Sequence, residues 1–334
     1  MNLNFSNDSY KQIALSTNSV NYDNSITAAD AFIVLLRDVD YETIDNLCIY
    51  ISEKFSLDNP MAVYYLIQSG DCDLEFRNVI LDSAYEMIHN HKKLGNKMVN
   101  DIFNASSWIS HSLYEGEVAS NLAMKMNLNP DTAMKLGILH DVGRKFDHSF
   151  LHTIKGFEYL QDLGLNNEAI CCLTHSFLSI PNNGILRGNR CSNCDLAVEG
   201  FYVDSNGNGI FRNNAYKDDM TFFLENYEYN PYDVILNISD LMAMSSGIVS
   251  PFDRMIDVYS RRKPDKNNSP FFKVCFINTM RALLYRMTDD EKYEKLYNIT
   301  NMSSLEEIDS LLVDTSNAFI SQYNATDRCN DFSI

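Results

Sequence analysis

Five of the seven histidines fall between positions 111 and 175: His111, His140, His148, His152 and His175. Helical spacing puts four of them on inward faces. His111 heads a stripe with Tyr114, Val118 and Leu122, in steps of three and four. His140 closes a stripe of Ala133, Leu136 and Gly137, on a helix opened by Asn129 and Pro130 and expected to end at Gly143. Asp141 stands beside it. His152 shares a face with Gly156, Tyr159, Leu160 and Leu163, and His175 lies near the end of NNEAICCLTHSF. Asp240 is expected in the middle of a fifth helix, NPYDVILNISDLMAMSSG, between Ile238 and Leu241. A buried imidazole or carboxylate is costly without a partner. These four histidines and two aspartates either satisfy one another as a polar network or bind metal. The set has too few basic partners for its two carboxylates, which favours metal, and imidazole with carboxylate suits Fe, Mn, Zn or similar ions.

The elements that must hold them read as an all-α chain. Residues 1–25 are rich in Asn and Ser and predict a loose leader. Residues 26–100 predict an N-terminal helical block, with Thr27 as a helix cap and Ile44, Leu47, Cys48 and Ile51 as an amphipathic stripe. Another helix starts at Pro60 and ends at Gly70, and a longer one reaches Gly95. His89 and His91, beside Lys92 and Lys93, read as solvated. Residues 101–260 form the ligand-bearing domain, with an insertion at about 182–230, and residues 261–334 a C-terminal helical region ending in a frayed tail. Within the insertion, AVEGFYVDSNGNGIFRN alternates apolar and polar residues around NGNG, the signal of a small β-hairpin. DSNGNG also opens like a calcium loop, but the twelfth position from Asp204 is Ala215, not Glu, so it reads as a turn. Cys191 and Cys194 form a lone CxxC, read as two thiols in a loop.

Composition bounds the partners. With 27 basic and 45 acidic residues the formal net charge is −18, which opposes DNA, RNA and anionic membrane surfaces. A small phosphorylated substrate is not excluded, because it answers to local cations. No run approaches the roughly 18 apolar residues of a membrane span. The polar start, MNLNFSNDSYKQ, has no apolar signal segment, so a cytoplasmic protein with reduced cysteines is expected.

GILHDVGRKF, followed by HTIKGFEYLQDLG, resembles the HD superfamily of metal-dependent phosphohydrolases, and more closely its HDIG-type branch. His140-Asp141 is the naming doublet, with Gly143 and Arg144 in the following positions. SHSLYEGEVASNLA looks like the family's first helix and ISDLMAMSSG like its last ligand helix. The resemblance covers about 105–250 and implies a helical bundle. It implies His111, His140, Asp141 and Asp240 as metal ligands, with His152 and His175 as the additional pair of dinuclear members. His148 is an alternative to His152, which is favoured because HxxxG heads the family's helix. Ser176 argues against a third ion. The resemblance implies two divalent ions, Fe or Mn first and Zn, Mg, Co or Ni after them, bridged by Asp141. They would activate a hydroxide against a small phosphate ester, expected to be a nucleotide. Arg144 and Lys145 are expected to grip further phosphates. The competing readings are a diiron oxygenase on the same fold and a catalytically silent nucleotide-sensing module.

Overall fold

The computed structural model describes residues 20–22, 26–94, 107–148, 152–175 and 230–250, with short pieces at 179–180, 184–185, 201–203, 209–211, 253–254 and 257. Expectations for the leader up to residue 19, the Cys191/Cys194 pair, Ser176, most of the insertion and the C-terminal helical region lie outside the described residues. The fold is all-α, and among the described residues only short hairpins lie beside the helices. The chain divides into two compact units. One comprises Asn21–Leu173 and Ile235–Val249; the other comprises Met1–Val20, Thr174–Val234 and Ser250–Ile334.

Local chemistry explains the helices of the first unit. In α1 (Ala28–Leu36), Thr27 accepts from the Asp30 N–H while the Asp30 carboxylate accepts from the Thr27 N–H, a reciprocal cap. Arg77 pairs with that same carboxylate at 2.5 Å and ties α4 (Leu74–Leu94) to the start of α1. Asp40 caps α2 (Tyr41–Lys54), whose buried face holds Ile44, Leu47, Cys48 and Ile51. α3 (Pro60–Ser69) begins with Pro60 and stops at Gly70, where φ is 70°, a conformation that favours glycine. α5 (Ser107–Lys125) packs against α6 (Pro130–Leu139), and α1 packs on α6 in turn. Asn129 caps α6, accepting from the Asp131 and Thr132 N–H groups. The helices expected as an N-terminal block therefore share one unit with those expected to carry ligands. Lys135 of α6 is buried, pairs with Glu168 at 3.1 Å and donates to the Tyr22 carbonyl at 2.6 Å. Glu168 belongs to α8 (Asn166–Thr174), which follows α7 (His152–Asp162).

Two helices end earlier than their patterns predict. α6 stops at Leu139, His140 is its last helical turn, and Asp141 (φ −102°, ψ 14°) opens a 3₁₀ turn over Val142–Lys145. The reason lies at Gly143. A side chain there would collide with the His152 carbonyl and the Gly156 backbone, so the chain must leave the α path to seat this turn on α7. α9 (Pro231–Asp240) ends at Asp240, which the sequence places mid-helix. The next residues form a hairpin of β5 (Ala243–Met244) and β6 (Gly247–Ile248). Gly247 has φ 144°, which a helix cannot continue through, and Ala243 is buried as β5 packs on α5.

The other unit contains two further antiparallel pairs, β1 (Ser179–Ile180) with β2 (Gly184–Ile185) and β3 (Phe201–Val203) with β4 (Gly209–Phe211). The second is the hairpin expected around NGNG, in register Phe201 to Phe211 and Val203 to Gly209.

Candidate metal centre

One turn of α5 carries both His111 and Glu115, because residues four apart lie on the same helix face. The approach of α6 is governed by two glycines. A Cβ on Gly137 would lie 2.8 Å from the Gly116 Cα, so only glycine permits this crossing. The close crossing brings His140 Nε2 to 2.9 Å from Glu115 Oε2. From α9, Asp240 Oδ1 reaches 3.1 Å from His111 Nε2, and Glu115 Oε2 lies 3.7 Å from the same nitrogen. One donor atom from each of His111, Glu115, His140 and Asp240 falls within 4.8 Å of all the others. His111, Glu115 and His140 are buried, whereas the Asp240 side chain is 26% exposed and forms the cluster's edge toward solvent.

The His140 tautomer follows from its neighbours. A carbonyl only accepts, so Nδ1–H donates to the Gly137 oxygen at 2.7 Å. In the neutral ring Nε2 then carries a lone pair aimed at the cluster, the arrangement of metal-binding histidines. A lone pair facing a carboxylate oxygen at this distance requires a proton or a cation between them. Metal–ligand bonds of about 2.1 Å set neighbouring donors roughly 3 Å or slightly more apart. The observed separations and the mixed imidazole–carboxylate donor set fit a divalent ion on both counts.

Asp141 lies where the two halves of the expected site meet. Its Oδ1 is 2.9 Å from His152 Nε2, and its Oδ2 is 3.5 Å from His140 Nε2. His152 is buried at the start of α7, while His148 is exposed. His175 directly follows α8, buried, in the second unit. Arg144, expected to hold phosphate, places Nε 2.5 Å from Asp141 Oδ2 and donates from Nη1 to the His148 carbonyl at 3.3 Å. Lys145 takes another direction. Its ammonium donates to the carbonyls of Val34 and Arg37 at 2.8 and 2.6 Å and lies 4.4 Å from the Tyr159 ring centre. Burial pulls it down to about 7. It closes the C-terminal end of α1 instead of presenting a cation to substrate.

Burial raises both buried acids, but their neighbours differ. Burial works to raise the Asp141 carboxyl, but Arg144, His140 and His152 overrule it and hold it well below the usual range. Burial pushes the Glu115 carboxyl up to about 8, against the pull of His140 and with the help of Asp240 and Asp141. Burial opposes charge on His140 as well, yet Glu115 and Asp141 raise it well above an ordinary imidazole. Glu115 is the member of the cluster that the sequence reading missed. Its signal was the four-residue step from His111, which puts a carboxylate on the histidine face of α5.

The family model for the HD domain matches residues 108–183. This chain carries an HD domain. The matched segment contains His111, His140, Asp141, His152 and His175. Asp240 lies beyond it in sequence and reaches His111 through the fold. Ribonuclease Y of Fervidobacterium nodosum is 38% identical over 64 residues, which is 19% of this chain and 12% of that protein's length. The chain therefore matches only about an eighth of that relative. No solved structure matches the chain. Among the described residues no helix is long and apolar enough to cross a membrane.

Proposed function

We propose that the HD domain is a metal-dependent phosphohydrolase that cleaves a small phosphate ester, with a nucleotide as the substrate class. The observation that supports this most is the meeting of His111 and His140 with Asp240, a residue outside the matched segment, with donor atoms at ligand spacing. In this reading His111, His140, Asp141 and Asp240 hold one divalent ion. Asp141 also faces His152, and the resemblance adds His175 for a second ion. Bound divalent ions supply Lewis-acid chemistry and lower the pKa of water from about 16 toward 7.

The chain's own residues orient and select. The Gly137 carbonyl fixes the His140 ring, and Arg144 holds Asp141 ionised and aimed between His140 and His152. The partly exposed Asp240 marks the side from which substrate arrives. A net charge of −18 works against polymeric RNA and favours a small substrate, although the named activity of the matched relative is that of a ribonuclease.

Elemental analysis of purified protein, followed by a screen of nucleotides, dinucleotides and an RNA oligomer with Mn²⁺ or Fe²⁺, tests the reading. Bound metal and turnover of a small ester, both lost in His140→Ala and Asp141→Ala, are expected. Metal-free protein that stays inactive after reconstitution would overturn it, as would O₂ consumption without phosphate release.

A further inference from the structure

Resting on the phosphohydrolase reading, we infer that Glu115 is a direct ligand of the ion held by His111, His140 and Asp240. With Asp141, the site is then a centre of two imidazoles and three carboxylates in which α5 supplies two ligands one turn apart. Three observations carry this.

The first is burial with no competing partner. Glu115 is fully buried, and among the described residues no donor is aligned as a hydrogen bond on either of its oxygens. Its two close contacts are His140 Nε2 at 2.9 Å and His111 Nε2 at 3.7 Å, both nitrogens of the proposed centre. A buried carboxylate in that position lacks the donors that normally hold such a group.

The second is the direction of His140. Its Nδ1–H is committed to the Gly137 carbonyl. Once neutral, as a metal ligand must be, the ring has no proton to give Glu115, and its lone pair faces the carboxylate oxygen across the cluster. A divalent cation between them turns this repulsion into two coordination bonds.

The third is the backbone. Gly116 and Gly137 allow α5 and α6 to cross at backbone contact, which is what brings Glu115 within reach of His140.

A third carboxylate makes the first ion's site more anionic and richer in oxygen. It therefore suits a six-coordinate, oxygen-accepting divalent ion such as Mn²⁺ or Fe²⁺ better than a thiolate-seeking one.

The test is Mn²⁺ binding to the full chain by calorimetry, with metal content measured in parallel. Glu115→Gln keeps the shape and a carbonyl oxygen but removes the charge. It should weaken Mn²⁺ binding at one site by roughly tenfold or more, at least the loss seen when an outer partner of a ligand is removed. Glu115→Asp, which retains a shorter carboxylate, should recover part of that loss; it also serves if the Gln variant does not fold. Wild-type affinity and stoichiometry in a folded Glu115→Gln protein would overturn the proposal while leaving the phosphohydrolase reading intact. Absence of Mn²⁺ binding to the wild type would instead remove the reading on which the proposal rests.

Discussion

At the residue scale, the centre concentrates acids and imidazoles that respond to burial in opposite senses. Asp141 is held ionised by Arg144 and two histidines, whereas Glu115 is pushed up to about 8 and His140 well above its usual range. In metal-free protein at neutral pH, the Glu115–His140 pair therefore holds a proton that an incoming ion must displace. The sign follows directly. Lowering the pH adds protons that compete with metal, so apparent affinity rises with pH through the region of about 8, where Glu115 gives up its proton unaided. Calorimetric titration of Mn²⁺ in buffers of different ionisation enthalpy should show net proton release that diminishes across that range. Metal binding independent of pH would mean that neither group meets the ion. Asp141 and Glu115 also differ in how visible they were. His140-Asp141 stands out because the two residues adjoin in a recognisable run. Glu115 went unremarked, because the stripe drawn through Tyr114, Val118 and Leu122 does not include it.

At the element scale, the centre depends on how closely α5 and α6 cross. Gly137→Ala would place a methyl 2.8 Å from the Gly116 Cα and 3.0 Å from the Glu115 carbonyl carbon. Backbone cannot yield as a flexible side chain does, so the helices must separate, at a cost of about 1–3 kcal/mol. Thermal melting should fall accordingly. Mn²⁺ affinity should fall with it, because separation draws Glu115 away from His140. A variant that melts lower but binds Mn²⁺ normally would show that the crossing supports the core and not the ligands. Caps were legible at this scale: Thr27, Asn129 with Pro130, and Gly70 all act where their residue types predict. Two helix ends were not. α6 leaves its path because Gly143 must fit against α7, and α9 stops because its following residues turn back on α5. Both causes are contacts between segments distant in sequence, which periodicity within one helix cannot register. The same holds for Lys145, whose basic character was plain but whose direction is set by the carbonyls of Val34 and Arg37.

At the scale of the whole molecule, the clustered donors of His111, Glu115, His140 and Asp240 all belong to the unit formed by Asn21–Leu173 and Ile235–Val249. The insertion at about 182–230 belongs to the other unit. Replacing it with a short Gly/Ser linker is therefore expected to preserve Mn²⁺ binding at this cluster and most of the melting temperature. Nucleotide discrimination should weaken, with KM rising more for nucleotides than for an aryl phosphate, because insertions between ligand-bearing segments tend to set specificity. Unfolding or complete loss of metal in that variant would make the segment part of the core.

Asp240 has a kinetic consequence. Three of the four clustered donors are sealed, and the fourth is a quarter exposed. An ion leaving the cluster need not wait for the helices to part; it can shed the outermost carboxylate first and exit along that edge. Removal by a chelator should then be first order and insensitive to mild denaturant, and it should accelerate in Asp240→Asn. A release rate that tracks global unfolding would mean that the edge is closed to ions. If the edge is open, the metal held is set by which ion stays longest as well as by which binds most tightly, and the residence time of the cofactor rests on the most exposed of the four ligands.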